Sequence, residues 1–150
     1  MKILTSATPP TPNILLVDDN RDGLLVRRCL LEEIGCCVQT AASGEEGLKL
    51  FQATQFDVVV TDYRMPRMNG AELIQRIRLL DPNARVILLS GFVEPLGLTE
   101  ESTGADAVIA KSASEPARLL RTVKRLANRT TRKPPGSQAA ITARAKSIGQ

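Results

Sequence analysis

The chain contains no histidine and no tryptophan, and it has only one tyrosine and three phenylalanines among its 150 residues. Its three cysteines, Cys29, Cys36 and Cys37, are odd in number and have no CxxC spacing. Without histidine or paired cysteines a zinc site has no ligand set, so we expect buried, reduced thiols. No apolar run approaches the roughly 20 residues of a membrane span, and the start MKILTSATPPTPN is too short and proline-rich for a signal peptide. These absences favour a cytoplasmic protein with no membrane partner.

Charge is distributed unevenly along the chain, although the net charge is only +4. Residues 117–150 contain nine basic residues and no acidic one. This end is typical of a solvated helix face followed by a disordered tail, and a weak nonspecific contact with nucleic acid or another acidic partner is the alternative. No aromatic residues alternate with the bases, and about twenty tail residues are too few for a helix-turn-helix domain, so we expect no sequence-specific DNA binding.

The pattern of apolar residues predicts three segments. Residues 1–12 contain three prolines and predict a flexible lead-in, residues 13–128 one folded domain, and residues 129–150 a basic, disordered tail. Within the domain five short apolar runs predict strands: ILLV, CCVQTA, DVVVTD, ARVILLS and DAVIA.

Segments with helical periodicity separate these strands. Ser43 with Glu46, and Asn69 with Glu72, predict capping boxes that open the second and third helices. The segment 94–104 contains one proline and two glycines and predicts a poor fourth helix. Strands that are apolar on both faces and alternate with helices favour an α/β fold with a parallel sheet. We predict a doubly wound, flavodoxin-like sheet with strand order 2-1-3-4-5 and helices on both faces.

Polar residues end four of the predicted strands. Asp18 and Asp19 follow the first strand, while Asp62, Ser90 and Lys111 end the third, fourth and fifth. In a parallel sheet these groups share one edge, and strands one and three are neighbours in the predicted order. Two unit charges about 4 Å apart repel by roughly 4 kcal/mol at an effective dielectric of 20, so three carboxylates need a cation. Oxygen ligands alone select a hard ion, and Mg²⁺ is the expected cofactor.

The stretches ILLVDDN, VVVTDYRMPRMNG, VILLSG and GADAVIAK, in this order and with these gaps, resemble the receiver domain of two-component response regulators. The resemblance covers residues 13–128. It implies that Asp18 and Asp19 hold Mg²⁺ together with Asp62 and the backbone carbonyl of Arg64. It further implies an enzymatic role limited to the domain's own phosphotransfer and autodephosphorylation.

The resemblance also implies which residues handle phosphate. Asp62 resembles the aspartate that accepts a phosphoryl group from a phosphohistidine of a partner kinase. Ser90 resembles the hydroxyl that turns toward this group, and Lys111 the lysine that binds one of its oxygens.

Two positions depart from the family pattern. Receivers usually have tyrosine or phenylalanine three residues before the lysine, where this chain has Val108, and the lysine is usually followed by a cis-proline, where this chain has Ser112. A cis bond before a residue other than proline costs about 2.5–4 kcal/mol. The phosphorylation chemistry is therefore expected to be complete, whereas the usual aromatic readout is not.

Four functions fit these patterns. The first is a stand-alone response regulator, phosphorylated by a sensor histidine kinase or phosphotransfer protein and signalling to an unidentified protein target. The second is a phosphotransfer intermediate or phosphate sink in a phosphorelay. The third is a phosphohydrolase with an aspartyl-phosphate intermediate, although the usual second acid is replaced by Arg64 two residues after Asp62. The fourth is nucleic-acid binding through the basic tail.

Overall fold

The computed structural model of the protein describes residues 11–91 and 96–132, with side chains up to residue 128. One parallel sheet contains the strands β1 (Asn13–Val17), β2 (Cys37–Ala41), β3 (Val58–Asp62), β4 (Val86–Ser90) and β5 (Ala107–Ala110). The strand order is β2-β1-β3-β4-β5, which confirms the predicted flavodoxin-like topology. The helices are α1 (Arg21–Glu33), α2 (Gly44–Ala53), α3 (Gly70–Leu80), α4 (Glu100–Thr103) and α5 (Glu115–Arg132).

The sheet separates two apolar clusters because successive side chains of a strand point to opposite faces. Ile14 and Leu16 of β1 pack with α1 and α5, and we call this side the α1–α5 face. Leu15 and Val17 pack on the other side with α3, which we call the α3 face. All four of these side chains are almost completely buried, as expected for a parallel sheet covered on both sides.

The structure corrects two expectations about burial. Cys36 is buried, but Cys29 and Cys37 are exposed, so only one of the three predicted buried thiols lies in the core. Cys37 is exposed because it begins β2, a strand at the edge of the sheet. Leu80 follows Leu73 and Ile77 at helical spacing, which predicts a place in the apolar stripe of α3, but it is half exposed in the last turn of that helix.

The helix starts follow the predicted caps, with one difference. Asn69 and Glu72 form the reciprocal capping box, with hydrogen bonds of 2.9 and 3.0 Å. Ser43 accepts the N–H of Glu46 as predicted, but the Glu46 carboxylate accepts the N–H of Ala42, one residue before the cap. Both arrangements satisfy two helix-end donors, and each fixes where the chain enters its helix.

The elements nearest the C-terminus differ from the predicted boundaries. α4 has only four residues, in agreement with the poor helix predicted there, and residues 92–95 lie outside the described residues. α5 continues to Arg132, past the predicted start of the tail at residue 129. Residues 133–150, and residues 1–10 of the predicted lead-in 1–12, lie outside the described residues. Among the described helices none is long and apolar enough to cross a membrane.

Candidate functional site

The carboxyl edge of the sheet carries the predicted polar residues. Asp62 and Ser90 are the last residues of β3 and β4, and Lys111 directly follows β5. Val17 is in register with Thr61, so the chain leaving β1 meets the end of β3. One open cleft of about 270 Å³ results at this edge, and its lining is Asp18, Asp19, Asn20, Asp62, Arg64, Ser90, Gly91 and Lys111. The structure therefore brings together all six residues that the sequence predicted for the site.

Three carboxylates form an acidic cluster in this cleft. One oxygen from each of Asp18, Asp19 and Asp62 lies within 4.8 Å of the others. Asp18 and Asp62 are only 2% and 5% exposed, whereas Asp19 is exposed to solvent. Burial, together with the charge of Asp18, raises the pKa of Asp62 against the opposing effect of the Lys111 hydrogen bond.

Lys111 provides a positive charge to this cluster. Its N–H donates to the backbone carbonyl of Ser90 at 2.9 Å, which fixes the end of β5 beside the end of β4. Its Nζ forms an ion pair with Oδ1 of Asp62. A single ammonium group leaves the three carboxylates with a net negative charge, so the cleft remains attractive to a further cation.

A second cation, Arg27 of α1, contacts the cluster and was not predicted. Its Nη1 lies 3.1 Å from Oδ2 of Asp18, and its Nε and Nη2 lie 3.2 and 3.0 Å from the two carboxylate oxygens of Glu115. Glu115 begins α5 and is only 7% exposed. The second oxygen of Asp18, Oδ1, accepts the N–H of Asn20 at 2.9 Å. Both oxygens of Asp18 are therefore held by donors from its own side of the sheet.

The sequence does contain a signal for Arg27. It lies three residues after Leu24 and four before Leu31, the two buried residues of α1, so it occupies the buried stripe of that helix. A charged residue in such a stripe needs a partner. Burial alone would lower the pKa of Arg27, but the hydrogen bond and charge of Glu115, with the charges of Asp18 and Asp62, raise it. Arg27 is therefore a permanent cation at the edge of the site.

The loop after β3 approaches the site through its backbone. Tyr63 donates its N–H to Leu89 at 2.8 Å and accepts the N–H of Gly70 at 2.7 Å. A Cβ atom on Gly70 would lie 2.4 Å from the carbonyl oxygen of Asp62 and 3.0 Å from the Cα of Tyr63. Only glycine permits α3 to begin this close to the end of β3.

The donor set of the cleft fits a small hard cation. The cluster offers only carboxylate oxygens, and two of its three carboxylates are buried. The cleft is open enough to admit water molecules as further ligands. Mg²⁺ takes such ligand sets and keeps several of its waters. Arg64 lines the same cleft, and the role of its backbone carbonyl as a ligand stays a prediction.

The family model of the response regulator receiver domain matches residues 14–124. The chain belongs to this family. A response regulator receiver protein of Anaeromyxobacter sp. (strain Fw109-5) is 38% identical over 103 residues, which cover 68% of this chain and 43% of that protein. The virulence sensor protein BvgS of Bordetella pertussis is 34% identical over 152 residues, which cover 93% of this chain but 12% of that protein. The receiver domain thus spans less than half the length of these curated relatives.

Solved structures agree with the receiver fold. A CheY-like response regulator receiver domain protein from Methanospirillum hungatei JF-1 has a TM-score of 0.75 at 28% identity and covers 83% of this chain and 100% of its own. The response regulator TrrA from Thermotoga maritima, solved in complex with Mg²⁺-BeF, has a TM-score of 0.71 at 32% identity. The match covers 77% of this chain and 99% of the TrrA chain.

The two departures from the receiver pattern lie close to Lys111. Val108 is partly buried and packs against the cluster of the α3 face, and its N–H donates to the Glu100 carboxylate of α4 at 3.0 Å. No peptide bond among the described residues is cis, including the one between Lys111 and Ser112. At the position where receivers usually have an aromatic ring, this receiver therefore has a small, partly buried side chain that packs against the core.

Proposed function

We propose that this receiver domain is phosphorylated on Asp62, with Mg²⁺ held by Asp18, Asp19, Asp62 and the backbone carbonyl of Arg64. The observation that carries the proposal is the acidic cluster itself, in which three carboxylates share one cleft with a lysine and a serine. Such a cluster is costly without a cation, and a divalent ion beside a carboxylate suits phosphoryl transfer. The TrrA structure with Mg²⁺-BeF supports the same ligand chemistry in a similar fold.

Each residue of the cleft has a distinct part in the proposed transfer. An oxygen of Asp62 forms a bond to phosphorus while the bond between phosphorus and the histidine nitrogen of the donor breaks, and that nitrogen keeps the electron pair. Lys111 binds an oxygen of the transferred group, and the hydroxyl of Ser90 donates to another. When bound, Mg²⁺ screens the charge of the incoming phosphoryl group. The phosphoryl group is later lost to water, which restores the carboxylate.

The proposed donor is a sensor histidine kinase or a phosphotransfer protein. The chain has no histidine of its own and no GxxxxGK[ST] loop, so it needs a separate phosphoryl source. Its curated relatives include both a receiver protein and a sensor protein. We infer a response regulator that signals by protein contacts to a downstream target. The receiver domain family is not a classical enzyme family.

A phosphorelay intermediate or phosphate sink is the second candidate. It is favoured by Val108, because a small aliphatic side chain cannot report phosphorylation by ring rotation. In that case the phosphoryl group passes on to a histidine of another protein. Phosphorylated receiver mixed with phosphotransfer domains would lose its phosphate to them, whereas a signalling switch would keep it while binding its target.

Phosphorylation of Asp62 can be tested by intact-mass spectrometry. We expect acetyl phosphate with Mg²⁺ to add one phosphoryl group to the full chain, and chelation of Mg²⁺ to prevent the addition. Asp62→Asn should remain unmodified, while the control Asp22→Asn, an exposed acid in the first turn of α1, should react as the wild type does. An Asp62→Asn protein that gains the group at the wild-type rate would refute the assignment. Turnover of phosphate esters well beyond one equivalent would instead indicate a phosphohydrolase.

A further inference from the structure

The ion pair between Arg27 and Glu115 joins α1 and α5 directly at the acidic cluster. The two residues are 88 positions apart in the chain, and their side chains are only 11% and 9% exposed. Arg27 reaches Glu115 with two nitrogens and Asp18 with a third. Its guanidinium is therefore fixed by two carboxylates, one of which belongs to the acidic cluster and one of which does not.

We propose that Arg27 is a positioning residue that lowers the affinity of the acidic cluster for Mg²⁺ by competing for Asp18, and that Glu115 holds Arg27 in place. The inference deepens the proposed function and rests on it, since it assumes that the cluster binds Mg²⁺. It goes further by assigning control of metal affinity to a pair of residues outside the cleft lining.

Charge is the first reason for this assignment. A carboxylate has about four lone-pair positions, so Asp18 can accept from Asn20 and Arg27 and still coordinate a cation. The cation must nevertheless share Asp18 with a guanidinium group 3.1 Å from Oδ2. Arg27 is charged at every physiological pH, so the repulsion between the two cations is always present.

Space is the second reason. Gly23 lies one turn before Arg27 in α1, and a Cβ there would be 2.8 Å from Nη1 of Arg27 and 3.1 Å from Oδ2 of Asp18. Glycine weakens a helix relative to alanine. Gly23 therefore leaves room for the contact between Arg27 and Asp18 at the expense of helix stability, which is expected if the contact has a function.

The single and double variants of the pair have opposite predicted effects. Glu115→Gln removes the charge that offsets Arg27, so the Mg²⁺ dissociation constant should rise about threefold or more. The double variant Arg27→Leu with Glu115→Leu leaves the net charge unchanged and removes the competitor, so the constant should fall roughly three- to tenfold. Replacement of a buried ion pair by apolar residues is usually tolerated, so the double variant is expected to fold.

The variant Gly23→Ala disturbs the contact between Arg27 and Asp18 without changing the charge of either residue. It keeps Arg27 and Glu115, and its Cβ would lie 2.8 Å from Nη1 of Arg27 and 3.1 Å from Oδ2 of Asp18. The guanidinium is the end of a flexible side chain and must move away, whereas the carboxylate needs to shift by only a few tenths of an ångström. The Mg²⁺ dissociation constant should therefore fall, by less than in the double variant. Arg27→Lys, the conservative variant, keeps the charge and should bind Mg²⁺ within about twofold of the wild type.

The measurement is thermal unfolding of the full chain at increasing MgCl₂ and constant ionic strength, from which the dissociation constant follows by linkage. The matched control is Arg28→Leu with Glu32→Leu, which removes an exposed ion pair from the same helix and should leave the constant unchanged. Opposite shifts for Glu115→Gln and the double variant would support the proposal. Equal constants in all variants would overturn it and leave the proposed function intact. If Mg²⁺ did not stabilise the wild type, or if it still stabilised the Asp18→Asn variant, both this proposal and the proposed function would be overturned.

Discussion

The two faces of the sheet reach the acidic cluster by different means. On the α1–α5 face the contact is made by charged side chains, because Arg27 bridges Asp18 to Glu115. On the α3 face it is made by the backbone, because Gly70 packs against the carbonyl oxygen of Asp62. Side-chain contacts can rearrange when charge changes, whereas a backbone packed at van der Waals distance cannot. We infer that the α3 face keeps Asp62 in a fixed position and that the α1–α5 face adjusts the electrostatics around it.

The largest effect is expected from Gly70→Ala, which disrupts the close backbone packing on the α3 face. The added Cβ would approach the Asp62 carbonyl oxygen and the Cα of Tyr63, and neither backbone atom can move independently. The free energy of unfolding should fall by roughly 3 kcal/mol or more. Chemical denaturation would measure it, with Gly91→Ala as the control because nothing lies within 4 Å of a Cβ there. Equal losses in the two variants would contradict the close approach.

Arg27→Leu removes the ion pairs of Arg27 on the α1–α5 face and leaves Glu115 buried without its partner. The free energy of unfolding should fall by about 2–3 kcal/mol, since both side chains keep a little contact with solvent. Arg28→Leu, its neighbour on α1, breaks an exposed pair with Glu32 and should change stability by at most about 0.5 kcal/mol. The same denaturation experiment compares the two variants. If Arg28→Leu cost as much as Arg27→Leu, burial of the bridge would not matter.

Asp62 lies where the two faces of the sheet meet, and the variant Asp62→Asn tests how burial affects the charge at this position. Because its pKa is raised in the folded state, Asp62 binds its proton more tightly there than in the unfolded chain. The stability that this proton contributes is present at low pH and is lost as the pH rises from the unfolded pKa through the folded one.

Without Mg²⁺ the Asn variant should therefore be more stable than the wild type at neutral pH, because asparagine is neutral in this buried position without binding a proton. Denaturation in the presence of a chelator, from about pH 4 to pH 7, would measure the difference, which should grow with pH. A difference that stays constant across this range, or an Asn variant that is less stable at neutral pH, would be inconsistent with the raised pKa.

The smallest effect is expected in the loop between β3 and α3. Arg67 has a φ of +69°, in the left-handed region that favours glycine, and its side chain forms an exposed ion pair with Glu45. Arg67→Gly should raise the free energy of unfolding by about 0.5 kcal/mol relative to Arg67→Ala, since both variants lose the ion pair and only glycine relieves the backbone. Thermal unfolding of the two variants gives the comparison, and a more stable alanine variant would contradict the expected strain.

Much of the fold and of the cleft could be predicted because both depend on local pattern. Asp62, Ser90 and Lys111 end apolar runs, and the ends of parallel strands share one edge. The Asn69 cap is likewise encoded within four residues. Burial was predicted less well: Cys29 follows the helical period, yet the buried stripe of α1 contains Leu24, Arg27 and Leu31. Periodicity defines a stripe only to within about one residue, and packing against α5 selects the final orientation.

The sequence by itself determined the order of elements, the strand ends and the composition of the acidic cluster, because these follow from apolar periodicity and from residues next to one another in the chain. Only the tertiary structure decided which groups hold Asp18. Arg27 and Glu115 meet because α1 and α5 pack on the same face of the sheet, and their contact spans 88 residues that no local pattern connects. Two charged residues so far apart in the sequence are brought into contact only when the chain folds. The ion pairs around Asp18 could therefore be known only from the three-dimensional structure.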